Sequence, residues 1–214
     1  MRIVCVSDIH SRPLTPPEAD VLIIAGDLTY HSSDKELEEF AAWLKAQKAK
    51  YKVFIAGNHD KKFQTHPWGT AEYLKRVCAE PNTFYLEQTS VIIEGLVFWG
   101  SPWIPKYSLA FQLKSPEHAR QHWAKMPDHV DVLVTHGPPH GILDTVKNGK
   151  HVGDQQLLAV VQRVKPRLHV FGHIHTGYGQ VEIGGTIFIN ACVCDEDYKP
   201  VQEPIVIDLP SKPE

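Results

Sequence analysis

Five short motifs concentrate the chain's metal-capable and proton-carrying side chains: Ser7-Asp8-Ile9-His10, Gly26-Asp27, Gly57-Asn58-His59-Asp60, Thr135-His136 and Gly172-His173-Ile174-His175. Within them, Asp8, His10, Asp27, Asn58, His136, His173 and His175 offer seven candidate ligands. Seven is too many for a single tetrahedral zinc, and with one carboxylate bridging they divide into two sets of four. Hard oxygens mixed with imidazoles suit Mn, Fe or Zn better than Ca or Mg. Charge counting agrees with a pair of ions. Two divalent cations against the two aspartates leave a balance of about +2 for a hydroxide and an anionic phosphate. An Asp in place of Asn58 would cancel more of that charge.

Each motif follows an apolar, β-branched run that reads as a buried strand. Ile3–Val6, Val21–Ala25, Val53–Ala56, Val130–Val134 and His169–Phe171 lead into the five motifs in turn. A lone His or Asp after a strand is ordinarily a turn former or a satisfied core group. Five successive strand ends carrying such groups are a different matter, because the C-terminal edge of an open α/β sheet is where ligands bind. Further strands are expected at Val91–Ile93, Leu96–Trp99, Ile187–Ile189 and Ile205–Ile207. Helical period appears at Leu37, Phe40, Ala41 and Leu44 behind a Ser33-x-x-Glu36 capping box, and again at Leu157, Val160, Val161 and Val164. Another helix is expected from Ser115-Pro116-Glu117, with Ser as cap and Pro as first helical residue. Strand and helix alternate in the first half, which implies parallel pairing. Glu94-Gly95 and Gly184-Gly185 mark antiparallel hairpins. The expectation is an α/β fold with two mixed sheets packed face to face and flanked by helices, a four-layer αββα sandwich. One domain over residues 1–209 is expected, with Pro13–Pro17 a short loop and 210–214 a C-terminal tail.

Composition narrows the function classes. The chain has 214 residues and a formal charge of −3, so the electrostatic footprint of a non-specific nucleic-acid binder is missing. The lysines at 45, 48, 50, 52, 61 and 62 read as solvated surface. No apolar run approaches the roughly 18 residues of a membrane span, and the N-terminal apolar run breaks at Ser7-Asp8, too early for a signal peptide. Cys5, Cys78, Cys192 and Cys194 lack zinc-ribbon spacing, and reduced thiols in the cytoplasm are the expectation.

The five motifs, in order, resemble the D-x-H, G-D, G-N-H-[DE], [GST]-H and G-H-x-H blocks of the calcineurin-like metallophosphoesterase superfamily. The resemblance implies that Asp8, His10, Asp27 and His175 hold one transition ion and that Asp27, Asn58, His136 and His173 hold a second. The pair would be divalent or mixed-valence ions. It also implies attack by a metal-held hydroxide, with His59 as general acid and Asp60 fixing the His59 ring. The G-D-x-x-D-R-G block of protein Ser/Thr phosphatases and dinucleoside-tetraphosphate hydrolases is absent, since Gly26-Asp27 continues as Leu28-Thr29-Tyr30-His31. Similarity is greater to the small metallophosphoesterase-domain phosphodiesterases, through Gly100-Ser101-Pro102-Trp103, His136-Gly137-Pro138-Pro139, Leu168–Gly172, Gly177-Tyr178-Gly179 and Ile189-Asn190-Ala191. Some of that group lack a histidine matching His173, which this chain keeps.

The implied function is a metal-dependent phosphodiesterase acting on cyclic nucleotides or similar small phosphoesters, with 2′,3′-cyclic nucleotides the leading candidates. A phosphomonoesterase or nuclease of the same fold, or a non-catalytic scaffold, are the alternatives. Among the other histidines, His31, His66, His140 and His151 are expected in loops near the site, His118, His122 and His129 on the surface, and His169 packed in its strand. Trp68, Trp103, Tyr107 and Tyr178 are loop aromatics for which packing is the plainer role and stacking on a nucleobase the sharper one.

Overall fold

The computed structural model describes residues 1–12, 14–105 and 109–210, without the side chains of Pro67 and Trp68. Of the proposed stacking aromatics, Tyr107 and the Trp68 side chain lie outside this set. Pro13 of the first loop and most of the 210–214 tail do too.

The elements run β1 (Arg2–Val6), β2 (Ala19–Ala25), α1 (Asp34–Ala46), β3 (Ala49–Ile55), α2 (Lys62–Thr65), α3 (Pro67–Val77), β4 (Thr83–Tyr85), β5 (Thr89–Ile93), β6 (Leu96–Ser101), β7 (Ile104–Pro105) and β8 (Gln112–Leu113). They continue with α4 (Pro116–Trp123), β9 (Val132–Thr135), α5 (Gln155–Val164), β10 (Leu168–Phe171), a 3₁₀ turn (His175–Gly177), β11 (Gly179–Ile183), β12 (Thr186–Asn190) and β13 (Ile205–Asp208). One sheet has the order β13-β1-β2-β3-β4 and the other β11-β12-β10-β9-β6-β5. Both are mixed. Their centres are parallel, whereas β13 pairs antiparallel with β1, β5 with β6, and β11 with β12.

Side-chain alternation along the strands sorts the chain into four layers. On β1, Ile3 and Cys5 face the second sheet, and together with Val21 and Ile23 of β2 they meet Val132, Val134 and Val170 in an apolar inter-sheet core. Val4 and Val6 point the other way, against Leu37, Phe40 and Leu44 of α1 and Tyr73 and Val77 of α3. The outer face of the second sheet carries Trp99, Leu133 and Phe171 against Trp123 of α4 and Leu157 and Val161 of α5. The fold is therefore the αββα sandwich. Trp99 and Trp123 are fully buried, and truncating either to Ala would cost about 3–5 kcal/mol.

The expected caps and turns are present. Ser33 accepts from Glu36 N–H while the Glu36 carboxylate accepts from Ser33 N–H, closing the box at the start of α1. Glu94 and Gly95, and Gly184 and Gly185, all take positive φ, as tight hairpins require. The helical segment 62–77 and the short strands β4, β7 and β8 lie outside the elements expected from the sequence. His122, expected on the surface, is buried on the inner side of α4, with Nε2 2.9 Å from Ser101 Oγ. His169 is buried as expected, with Nε2 2.8 Å from Thr135 Oγ1. All four cysteines are free. Among the described residues, no helix is long and apolar enough to cross a membrane.

Candidate metal centre

The five strands that precede the motifs, β1, β2, β3, β9 and β10, are parallel neighbours within their sheets, so their C-terminal ends lie on one edge. There the two sheets are stitched together. Ser7 N–H donates to Ala191 C=O, Val193 N–H donates to Ser7 C=O, and Ser7 Oγ donates to Ala25 C=O. The chain leaves these strands in strained conformations: Asp8, His10, Asp27 and His173 all adopt positive φ, between 42° and 67°. Left-handed backbone at non-glycine residues costs free energy and gathers at sites where side chains must be aimed.

Two glycines are obligatory for a steric reason. A Cβ on Gly172 would fall on Asp8 Oδ2 and Ser7 Oγ, and one on Gly57 would fall on Asp27 Oδ1.

The seven candidate ligands come together as two groups. Asp8, His10 and His175 place one donor atom each within 4.8 Å of one another, and so do Asp27, His136 and His173. Asp27 links the groups: its Oδ2 is 3.7 Å from His10 Nε2 and its Oδ1 is 3.4 Å from His136 Nε2. Asn58 joins the second group through Oδ1, 2.9 Å from His136 Nε2.

Hydrogen bonding around the donors suits a cation. His136 Nδ1 lies 2.9 Å from Ala25 O and His175 Nδ1 lies 2.7 Å from Asp195 O. A carbonyl only accepts, so both Nδ1 atoms carry hydrogen and both rings present Nε2 inward. Asp8 Oδ2 accepts from His173 N–H and from the Cys192 thiol, each at 2.9 Å, while Asp8 Oδ1 is buried without a hydrogen bond. Both ring nitrogens of His10 are likewise buried and unbonded. Such orphaned donors and acceptors are costly unless something of opposite character sits between them.

Electrostatics point the same way. Burial pushes Asp27 up, but the charge and hydrogen bond of His136, helped by His10, hold it down at about 2. Burial pushes His136 and His175 down, yet Asp27 and Asp8 respectively override it and raise each to about 9. For His10 and His173 burial prevails, and they fall to about 4 and about 3. The carboxylates are thus held ionised, and protons occupy imidazoles that a metal ion would take over.

His59 sits beside this array. A ring nitrogen approaches the donor atoms of His10 and Asp27, and the His59 backbone N–H donates to Asp27 Oδ1 at 2.8 Å. The contact expected from Asp60 is made by another group: His59 Nδ1 lies 2.8 Å from the Tyr30 carbonyl. Asp60 is fully buried and accepts instead from Leu28 N–H, Thr29 N–H, Thr29 Oγ1 and Gly57 N–H. Burial, then the Asp27 charge, raises it to about 6 against those bonds. Asp60 therefore ties the loop after β2 to the loop after β3 rather than touching the His59 ring. The Tyr30 carbonyl is itself fixed from behind by Glu36, whose carboxylate accepts from Tyr30, His31 and Ser33 N–H.

Of the donors, Asp27, Asn58, His173 and His175, together with His59, floor a cleft of about 470 Å³. Its walls include Pro105, Pro138, Val146, Val152 and Ile174, with Glu196 and Tyr198 on the side of the C-terminal turn. No Lys or Arg is among the described residues that line it. Trp103 packs instead on Phe111 and His122, and the Tyr178 hydroxyl donates to Glu203 O, so neither wall nor floor uses them. The sequence carries no signal for the site contacts of Tyr30, Cys192, Asp195 and Tyr198, since two act through backbone carbonyls and none belongs to the five motifs.

A fold with these strand-end donors has known counterparts. The family model for calcineurin-like phosphoesterases matches residues 1–177. Metallophosphoesterase domain-containing protein 1 of Homo sapiens is 43% identical over 232 residues, covering 98% of this chain and 71% of that protein, and the Mus musculus protein matches equally. Among solved structures, a phosphopantetheinyl hydrolase from Mycobacterium tuberculosis shares the fold with a TM-score of 0.59 at 15% identity over 95% of each chain. The protein TT1561 of Thermus thermophilus does so with a TM-score of 0.60 at 13% identity over 88% of each. The class is that of metal-dependent hydrolases of phosphoric esters. This chain belongs to its calcineurin-like phosphoesterase family.

Proposed function

We propose that this chain is a two-metal phosphodiesterase of small organic phosphodiesters, with 2′,3′-cyclic nucleotides the first substrates to try. Asp8, His10, Asp27 and His175 would hold one transition ion, Mn, Fe or Zn, and Asp27, Asn58, His136 and His173 the other. The observation that carries this reading is the meeting of two donor groups at the single Asp27 carboxylate. When bound, the ions supply Lewis-acid polarisation of the phosphoryl oxygens and acidify water.

The remaining chemistry belongs to the chain. Nδ1–H of His59 is engaged by the Tyr30 carbonyl, so Nε2 is the atom that can carry and release a second proton. Aimed beside Asp27, it would donate that proton to the departing alkoxide as general acid. Among the described residues no guanidinium or ammonium lines the cleft, and a lining without them favours a monoanionic diester over a dianionic monoester, which gains more from charge-assisted hydrogen bonds. The apolar walls suit an organic ester group.

The test is a substrate screen with metal analysis. Reconstituted protein should hold close to two ions per chain and cleave diesters more efficiently than monoesters under the same metal. Folded protein that takes up one ion or none, or that prefers monoesters, would overturn the proposal.

A further inference from the structure

The family match ends at residue 177, yet the cleft is completed by a turn beyond it, residues 195–199. Asp195 organises this turn. Its side-chain Oδ1 accepts from Asp197 N–H and Lys199 N–H, its N–H donates to Lys199 O, and its carbonyl accepts from Tyr198 N–H at 2.9 Å. The same carbonyl orients His175, at 2.7 Å from Nδ1. One oxygen thus registers a candidate ligand and the Tyr198 backbone against each other. Tyr198 adopts φ 58°, a conformation that bulky residues avoid, which places the cost of the turn at this residue.

The Tyr198 ring makes T-shaped contacts with His10 at 4.7 Å between centroids, Tyr30 at 4.8 Å and His175 at 5.6 Å. His10 and His175 both belong to the first donor group, so Tyr198 lies against that half of the donor set. Apart from the histidines, it is the only aromatic side chain among the described residues lining the cleft. The facing wall is aliphatic, with Val146, Val152, Pro138 and Ile174. Glu196, beside Tyr198, is ion-paired with Lys147, and Lys199 with Asp197, so among the described residues the turn offers no free cation for a second phosphate.

We propose that Tyr198 is a specificity-determining residue: its ring forms the wall against which a planar, uncharged ester group of the substrate packs while the phosphoryl group lies on the donor floor. The assignment rests on the phosphoesterase reading of that floor and adds the chemical class of the group beside it. Aromatic contact supplies the recognition, and it needs only a π-face, not a particular hydrogen-bond pattern.

Phenylphosphonate and methylphosphonate share the same oxyanion and resist hydrolysis, so their affinities for metal-reconstituted protein isolate the ring contact. Calorimetric titration should show wild type binding phenylphosphonate about three- to tenfold more tightly than methylphosphonate, the range expected for one aromatic pair. Tyr198→Ala should bring the two Kd values together without changing that of methylphosphonate, and Tyr198→Phe should keep the preference. Metal content is measured on every variant, and Tyr198→Leu replaces Tyr198→Ala if the smaller residue disturbs it. An absent preference in wild type, a preference that survives both Tyr198→Ala and Tyr198→Leu, or an equal loss on both ligands would overturn the proposal. Neither ligand is a diester and neither turns over. A wild type that prefers monoesters would therefore refute the phosphodiesterase reading and leave Tyr198 to be judged by these affinities alone.

Discussion

Asp27 Oδ1 lies 3.4 Å from His136 Nε2, a contact that crosses from one sheet to the other. The two residues follow β2 and β9, and His136 is further tied to the first sheet through Ala25 O, which immediately precedes Gly26-Asp27. The candidate centre is therefore built across the seam of the sandwich. Packing of the inter-sheet core sets its dimensions.

From this position Asp27 should matter more to metal retention than any other candidate ligand. Asp27→Ala removes the group shared by both halves, and elemental analysis after reconstitution should show both ions diminished. His173→Ala should diminish one ion only, with partial rescue of activity by excess metal. Equal stoichiometry in the two variants would argue against a shared carboxylate.

His59→Ala should keep both ions and lose rate according to the leaving group. On a natural diester, whose alkoxide needs a proton, the rate should fall by about 10²–10⁴. On a bis-nitrophenyl diester the loss should be much smaller, because nitrophenolate departs unaided. Equal losses on both substrates at full occupancy would reassign His59 to positioning.

Gly172→Ala should abolish metal binding while the sandwich still folds. The added methyl would occupy the place of Asp8 Oδ2 and Ser7 Oγ at the β1 end, so the cost falls on the site edge. Circular dichroism and metal content, measured together, check both halves of this expectation.

Glu36 should make the loop after β2 acid-sensitive. Burial tends to raise its pKa, but hydrogen bonds from Ser33, His31 and Tyr30 outweigh burial and hold it at about 2, below its ordinary value of 4.5. A depressed carboxylate stabilises the fold above the unfolded-state pKa and loses that contribution as pH falls toward about 2. Glu36→Gln should flatten the pH dependence of unfolding in this window. It should also loosen Tyr30, lowering kcat on natural diesters more than on nitrophenyl esters.

Asp154→Ala should be costly although its side chain touches none of the candidate ligands. Asp154 caps α5 through Gln156 and Leu157 N–H and accepts the buried Trp123 indole N–H at 2.6 Å. Losing the cap and stranding the indole should together destabilise by about 2–4 kcal/mol, read from denaturant unfolding, with metal content unchanged.

What the sequence by itself determined is whatever depends on local rules. Continuous apolar, β-branched runs ending in Asp, Asn or His mark β1, β2, β3, β9 and β10, and with them the seven donors and His59. The Ser33-Glu36 box and the paired turn residues at 94–95 and 184–185 marked the start of α1 and two hairpins, because capping and positive φ are properties of a few consecutive residues. Tertiary structure decided what depends on distance. That Asp8 Oδ2 would be held by Cys192, 184 residues away, or that the Tyr30 and Asp195 carbonyls would orient His59 and His175, has no local signature, since every residue carries the same carbonyl. Asp60 illustrates the limit. Its adjacency to His59 suggested a direct contact, but a side chain and its immediate neighbour point in different directions once the backbone turns. The buried carboxylate found its donors in the Leu28-Thr29 loop instead. Tyr198 was hidden for the same reason: an unremarkable turn residue becomes the cleft's aromatic wall only when the chain after β12 folds back over the ends of both sheets.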